Sequence, residues 1–273
     1  MGSHLLVQLS DTHLTTAPRL RAGAEPAAGL AVALAAIERH GLRPDVVLLS
    51  GDLTDRGEAS CYHELAEALA SSSALGGALV VAVPGNHDRR AAMRQHLFAQ
   101  LERAALPTGS GDEPLNSVAW HGALRVIALD STIPGEDAGA LAPATLDFLT
   151  DELARPAGEG TILMLHHPPI DSPIEPMARL GLRAPEAIAE AIAGSDVRLI
   201  TCGHAHHHCQ GALGAIPVLV APATAYLADP LASVEFQPVA GCGLVRIDVD
   251  ERGIRASVAP LPAPAWPDRA LPA

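Results

Sequence analysis

The chain has 273 residues, 18 basic residues that are all arginine, and a formal net charge of −13. Its length can bury a large core in one domain or two, and a hydrophobic content of 48% with 23 Pro and 24 Gly excludes a disordered chain. The acidic balance makes long nucleic acid a poor partner, because like charge repels the phosphate backbone unless metals supply local positive charge.

In chain order, the opening MGSH reads as a tag remnant, which leaves His4 without a role. LLVQLSD (5–11) is a buried strand, and AAGLAVALAAIERHG (27–41) is a helix stopped at Gly41. DVVLLSGD (45–52) is a strand and ASCYHELAEALASS (59–72) a helix. ALVVAVPGNHD (78–88) is a third strand leading into a helix over 90–105. A strand at 124–130, a helix at 143–154, a strand at 161–167, a helix at 185–193 and a strand at 197–204 follow. The tail changes to strands without helices at 216–222, 241–250 and 254–260.

Short continuous apolar strands alternating with helices indicate an α/β core buried on both faces. The late strands imply a second sheet, and two packed sheets with helices outside is the economical arrangement. Nothing divides the chain, so residues 1–273 read as one domain with a β-rich tail over 214–273. The proline-punctuated stretch 168–185 reads as a cap or lid beside a site. Irregularly spaced Cys61, Cys202, Cys209 and Cys242 make no disulfide framework in a chain this long. With no signal peptide and no long apolar span, a reduced cytoplasm and no membrane are expected.

Each apolar strand ends in metal-ligating residue types. The first supplies Asp11 and His13, the second Asp52, and the third Asn86, His87 and Asp88. The strand at 161–167 ends in His166 and His167, and that at 197–204 runs into GHAHHH. Ligands of open α/β sheets gather at the carboxyl ends of strands. Carboxylate, imidazole and amide oxygen, with no thiolate required, suit borderline divalent metals. A donor set this large exceeds one tetrahedral ion and suits two ions that share a bridging carboxylate. A zinc finger fails on spacing, since Cys202 and Cys209 have no second cysteine pair to complete them. They read as small buried residues.

The motifs D-x-H (11–13), GD (51–52), GNHD (85–88), HHPP (166–169) and GHAH (203–206), in that order, resemble the signature of the calcineurin-like metallophosphoesterases. The resemblance implies a four-layer αββα sandwich of two mixed sheets flanked by helices. It also implies two divalent ions, with Mn, Fe, Zn and Co as candidates. Carried over, Asp11, His13, Asp52 and His206 resemble one metal site, and Asp52, Asn86, His166 and His204 the other. His204 and His206 would then be presented by an extended turn. The family chemistry is attack by a hydroxide bridging the two ions. His87 would contact phosphate or protonate the leaving group, and Asp88 would hold the far nitrogen of the His87 ring.

GDLTDRG partly echoes the serine/threonine protein phosphatases, but SDTHL and GNHD depart from their pattern. The motif set looks closest to class III cyclic-nucleotide phosphodiesterases and bacterial glycerophosphodiesterases. The expected activity is therefore metal-dependent hydrolysis of a small phosphodiester, with a 3′,5′-cyclic nucleotide first. A glycerophosphodiesterase or a broad phosphomonoesterase/diesterase is the alternative. A nuclease lacks its basic stripe here, and a scaffold without metals should show eroded ligands. A homo-oligomer is expected from the habit of such relatives. His167, His207 and His208 lie outside the ligand motifs, and Asp55 either supports a ligand or turns the chain. His40, His63, His96 and His121 read as solvated, as do Arg56, Arg89 and Arg90. Of the aromatic residues Tyr62, Phe98, Trp120, Phe148, Tyr226, Phe236 and Trp266, none is tied to the site by sequence.

Overall fold

The computed structural model of the chain describes residues 2–20 and 23–263; Trp266 and the end of the 214–273 tail lie outside them. The first sheet is built from β1 (His4–Leu9), β2 (Val46–Leu49), β3 (Leu79–Ala82), β12 (Cys242–Asp250) and β13 (Gly253–Leu261), in the order β13-β12-β1-β2-β3. β1, β2 and β3 run parallel, and β12 and β13 add antiparallel neighbours on the other side of β1. The second sheet contains β4 (Ser117–His121), β5 (Leu124–Leu129), β6 (Thr161–Leu165), β7 (Val197–Cys202), β8 (Cys209–Leu213) and β9 (Ile216–Val220). Its order is β4-β5-β6-β7-β9-β8, with β5, β6, β7 and β9 parallel, and a separate short ribbon pairs β10 (Leu227–Ala228) with β11 (Pro238–Val239).

Strand periodicity explains how two sheets and the helices make four layers. Successive side chains point to opposite faces. Leu6, Leu48, Val81 and Val245 face inward and meet Val126, Ile162, Met164 and Leu219 of the other sheet in one buried cluster. Val7, Leu9, Val47 and Leu49 face outward. They pack on Leu30, Ala33 and Ile37 of α1 (Pro26–Arg39) and on Tyr62, Leu65 and Leu69 of α2 (Ala59–Ser71). On the far side Ile127, Leu163, Leu165 and Ile200 pack on Leu149 of α4 (Pro143–Leu153) and on Ile188. Each such side chain removed from water contributes about 1.5–3 kcal/mol. Strands buried on both faces therefore read as unbroken apolar runs.

Helix ends follow local chemistry. Pro26 sits in the first turn of α1, where its missing N–H costs nothing. Gly41, at φ +63°, then turns the chain into β2.

The structure corrects several sequence expectations. The late strands do not form the second sheet by themselves. Only β8 and β9 join it, while β12 and β13 return to flank β1. The helix expected over 90–105 is only α3 (Arg90–Met93) and a wide π-helical turn at Arg94–Phe98. The chain leaves it because Arg103–Ala105 pairs with the edge of β3: Val80 N donates to Arg103 O (2.9 Å) and Ala105 N to Val80 O (2.9 Å). The 168–185 stretch carries a short helix, α5 (Glu175–Arg179), and leads into α6 (Pro185–Ala191). Ile174 and Met177 of this stretch pack against Ala228, with Phe236 alongside. His4 is no dangling tag residue; it begins β1 and is buried.

Candidate metal centre

The carboxyl ends of β1, β2, β3, β6 and β7 converge. Asp11 and His13 follow β1, Asp52 follows β2, Asn86 to Asp88 follow β3, His166 follows β6, and His204 and His206 follow β7. Asp11, His13, Asp52, His166, His204 and His206 are all buried. The loops are tied to one another by backbone bonds: Asp11 N donates to Gly51 O (3.0 Å), His13 N to Asp52 O (2.8 Å) and Gly203 N to His166 O (3.0 Å). Gly51, at φ +94°, has no room for a side chain, since a Cβ there would run into the His166 ring. His204 (φ +73°) and His206 (φ +56°) both take left-handed backbone, so the expected extended turn is a tight one.

Asp11, His13, Asp52 and His206 bring their donor atoms into one group. His13 Nε2 faces His206 Nε2 at 3.0 Å and Asp52 Oδ2 at 3.6 Å, and His206 Nε2 lies 3.5 Å from Asp11 Oδ1. On the other side of Asp52, His166 Nε2 lies 3.4 Å from the same Oδ2, 3.3 Å from Asn86 Oδ1 and 3.2 Å from His204 Nδ1. One carboxylate oxygen is thus shared by two clusters of donors. The second oxygen, Asp52 Oδ1, accepts the His87 backbone N–H (2.8 Å), which holds the carboxylate in place.

This chemistry fits bound cations. His166 Nδ1 donates to Ser50 O (2.8 Å) and His206 Nδ1 donates to Tyr226 O (3.0 Å). A carbonyl can only accept, so in each neutral ring Nε2 carries a bare lone pair. Those lone pairs face carboxylate and amide oxygens, which repel them unless a positive charge lies between. With protein charges alone, burial pushes the His166 imidazolium down, but Asp52 and Asp11 outweigh burial and raise it to about 9. Burial raises Asp11 to about 6. Burial, reinforced by His166, lowers His204 to about 3, and burial with His13 beside it lowers His206. A site that keeps His204 and His206 neutral and draws positive charge to His166, between carboxylates, suits borderline divalent metals.

His167 is also buried nearby, but the protein occupies both its ring nitrogens. Nε2 donates to Asp137 O (3.2 Å), and Nδ1 meets Ser131 Oγ (2.8 Å). Among the flanking histidines, His207 Nε2 meets Ser172 Oγ of the 168–185 stretch at 2.9 Å, and His208 is exposed.

Asp88 does not hold the His87 ring. Its carboxylate accepts from Leu53 N (3.0 Å), Thr54 N (3.1 Å), Gly85 N (2.9 Å) and the Tyr62 hydroxyl (2.9 Å), binding the second and third strand-end loops together. The aspartate one residue past a histidine could not turn back to that ring because these inward donors claim it. His87 Nδ1 instead donates to Asp55 O (2.8 Å), and the Asp55 carboxylate lies 3.9 Å from His87 Nδ1 and 3.6 Å from His13 Nδ1. The His13 ring facing it, against partial burial, holds the Asp55 carboxyl below its ordinary range. The TDRG turn put Asp55 beside the motif, which is the signal that pointed to it. Arg90 is not solvated either, because it forks onto Asp130 (2.7 and 3.2 Å).

A cavity of about 580 Å³ opens beside the centre, lined by His87, Asp55, Arg19, Arg56, Tyr226 and Phe236 among others. The Tyr226 ring stands 4.4 Å from the His206 ring and 6.3 Å from Phe236. Nothing in the sequence tied these two aromatics to the site. The chain after β9 brings them there, with Ala228 N donating to His206 O (2.9 Å).

Residues 4–208 match the family described as calcineurin-like phosphoesterase. The chain belongs to that family. As a calcineurin-like phosphoesterase it is a hydrolase of a metal-dependent class. It is 39% identical over 227 residues to a protein named cAMP/cGMP dual specificity phosphodiesterase from Mycobacterium tuberculosis, covering 83% of this chain and 69% of that one. It is 38% identical over 264 residues to a probable cyclic nucleotide phosphodiesterase of Rhodococcus erythropolis, covering 95% and 84%. In fold it resembles the purple acid phosphatase of yellow lupin, with a TM-score of 0.58 at 15% identity, covering 91% of this chain and 49% of that larger protein. Among the described residues no helix is long and apolar enough to cross a membrane.

Proposed function

We propose that this calcineurin-like phosphoesterase is a two-metal phosphodiesterase acting on a small diester, with a 3′,5′-cyclic nucleotide as first choice. The observation that carries the reading is Asp52 Oδ2, which lies 3.6 Å from His13 Nε2 and 3.4 Å from His166 Nε2 and so sits between two donor sets. Asp11, His13, Asp52 and His206 would hold one ion, and Asp52, Asn86, His166 and His204 the other. When bound, divalent cations supply Lewis acidity, activating water near neutral pH and neutralising charge on phosphoryl oxygens.

The protein's own residues supply the rest. His87 is half-exposed at the cavity with its Nδ1–H committed to Asp55 O, so it is the imidazolium, with its second proton on Nε2, that meets a phosphoryl oxygen or protonates the departing alkoxide. A proton given there is worth about 10²–10⁴-fold, because an alkoxide leaves poorly without one. Arg19 and Arg56 on the cavity wall draw an anionic ester to an otherwise acidic protein. Tyr226 and Phe236 offer ring faces on which a nucleobase stacks. Relatives at 38–39% identity that are named for cyclic nucleotides support the same substrate choice.

The test compares cAMP, cGMP, bis(p-nitrophenyl) phosphate and p-nitrophenyl phosphate with Mn²⁺-loaded protein. The diesters are expected to turn over faster than the monoester, and Asp52→Ala and Asn86→Ala to lose at least about 10²-fold. Phe236→Ala should raise the KM for cAMP while leaving its kcat near the parent value. A preference for the monoester, or turnover indifferent to Asp52→Ala, contradicts the reading.

A further inference from the structure

At the edge of the sheets opposite the centre, four titratable side chains from four strand ends meet. His4 opens β1, Asp45 immediately precedes β2, His121 closes β4, and Glu159 lies just before β6. His4 and Glu159 are buried, while His121 and Asp45 have about one third of their side chains exposed, at 36% and 33%. His4 Nε2 lies 2.6 Å from Glu159 Oε2, so this nitrogen carries the proton and donates it. The bond fixes the tautomer and leaves His4 Nδ1 as a bare lone pair. That lone pair faces His121 Nδ1 at 2.9 Å. His121 Nε2 stands 3.6 Å from Asp45 Oδ1, while Asp45 Oδ2 is anchored by the Leu5 N–H (2.8 Å). One donor atom from each of His4, Asp45 and His121 falls within 4.8 Å of the others.

We propose that His4, Asp45 and His121 form a further metal site for a borderline divalent transition ion such as Zn²⁺, separate from the phosphoesterase centre. Two imidazoles and one carboxylate are the donor types such an ion takes, and the exposed side leaves a coordination position for water. Glu159 plays the part that a carboxylate plays behind a metal-bound histidine: it orients the His4 ring and increases the basicity of the ligating nitrogen. The position gives the site a structural role. His4 of β1 and Asp45 at the start of β2 stand on the first sheet's side, and His121 of β4 and Glu159 ahead of β6 on the second's. An ion held here ties the two sheets together at the end where no catalytic loop does so. The site owes nothing to the catalytic reading, since none of its residues touches the centre.

The experiment is metal counting after equilibrium dialysis against Zn²⁺, with thermal melting of the same samples. It uses the full chain and the variants His121→Ala and Asp45→Asn, each also in an Asp52→Ala background so that filling of the centre is not at issue. One fewer Zn²⁺ per chain is expected in each variant than in its parent. Zn²⁺ should raise the Tm of the Asp52→Ala parent but not that of Asp52→Ala/His121→Ala. Phosphodiesterase turnover of the single His121→Ala variant should match that of the parent. Unchanged Zn²⁺ stoichiometry in both His121→Ala and Asp45→Asn, with the same Zn²⁺-induced Tm shift, would overturn the proposal and leave a hydrogen-bonded network without an ion. Asp45→Asn keeps the count meaningful if His121→Ala folds poorly.

Discussion

Asp11, His13, Asp52, His204 and His206 have positive φ, from +44° to +73°, and among the described non-glycine residues only Ala184 shares that conformation. Each such residue stores about 1–3 kcal/mol of strain. The strain persists because the loops are cross-tied: Leu14 N donates to Leu53 O (3.1 Å) and Asp55 N to Leu14 O (2.9 Å), beyond the bonds already made by Asp11 and His13. Strain concentrated on the donor residues themselves is what a preorganised site requires, because relaxed strand ends would splay the side chains apart. Asp55 completes the arrangement by orienting His87 through its carbonyl and facing His13 with its carboxylate. Replacing it with alanine removes a ligand's support and not the ligand. Asp55→Ala should therefore lower kcat by about 10–100-fold while metal content stays at the parent value. Steady-state kinetics beside metal analysis checks this, and a fall in metal content equal to that of Asp52→Ala would contradict it.

The strands carry the site because they are rigid. Leu163, buried in the middle of β6, packs among the helices of the second sheet, and His166 follows one residue beyond the strand. Leu163→Ala leaves a cavity under that strand and should cost about 2–5 kcal/mol in chemical denaturation. A loss below 1 kcal/mol would mean the strand end is held by something other than its core. Strand positions and their terminal donors were legible in the sequence, because strands buried on both faces are apolar runs that stop where Asp, Asn and His begin. Features set by tertiary contacts were not legible. The destination of β12 and β13 depends on which edge of β1 lies open, which no local pattern reports. The early end of the 90–105 helix depends on Arg103–Ala105 finding the edge of β3. The roles of Asp88 and Asp55 depend on which loops come close, and neighbouring positions in the motif gave Asp88 a ring that Asp55 holds. Tyr226 and Phe236 likewise reach the cavity only through the tertiary path of the chain after β9.

At the scale of the whole molecule, an acidic protein has gathered most of its buried imidazoles at one edge, with His4 at the other, and without bound metal that edge titrates on its own. In the metal-free protein burial holds His167, His204 and His206 below the ordinary histidine value, His204 at about 3, while Asp11 sits at about 6. Below pH 6.5 the unfolded chain protonates those three histidines and the folded chain does not. Asp11 gives back one proton in the opposite sense, and His13 and His166, both raised, are protonated in both states. His207, lowered by burial, acts in the sense of the three histidines, and Asp88, raised by burial, in the sense of Asp11. On balance unfolding between pH 6.5 and 5 takes up protons, so stability falls as pH drops. Chelated protein should show a urea midpoint that falls between pH 6.5 and 5; a flat or rising midpoint contradicts the burial of neutral imidazoles.

The most direct measurement of the central claim is electron paramagnetic resonance of the protein saturated with Mn²⁺, taken in the His121→Ala variant so that only the centre is read. A carboxylate shared between two neighbouring ions predicts the spectrum of an exchange-coupled manganese pair, which collapses to isolated ions in Asp52→Ala. Isolated Mn²⁺ alone at saturation, with Asp52 intact, would mean that the two donor sets do not hold a coupled pair.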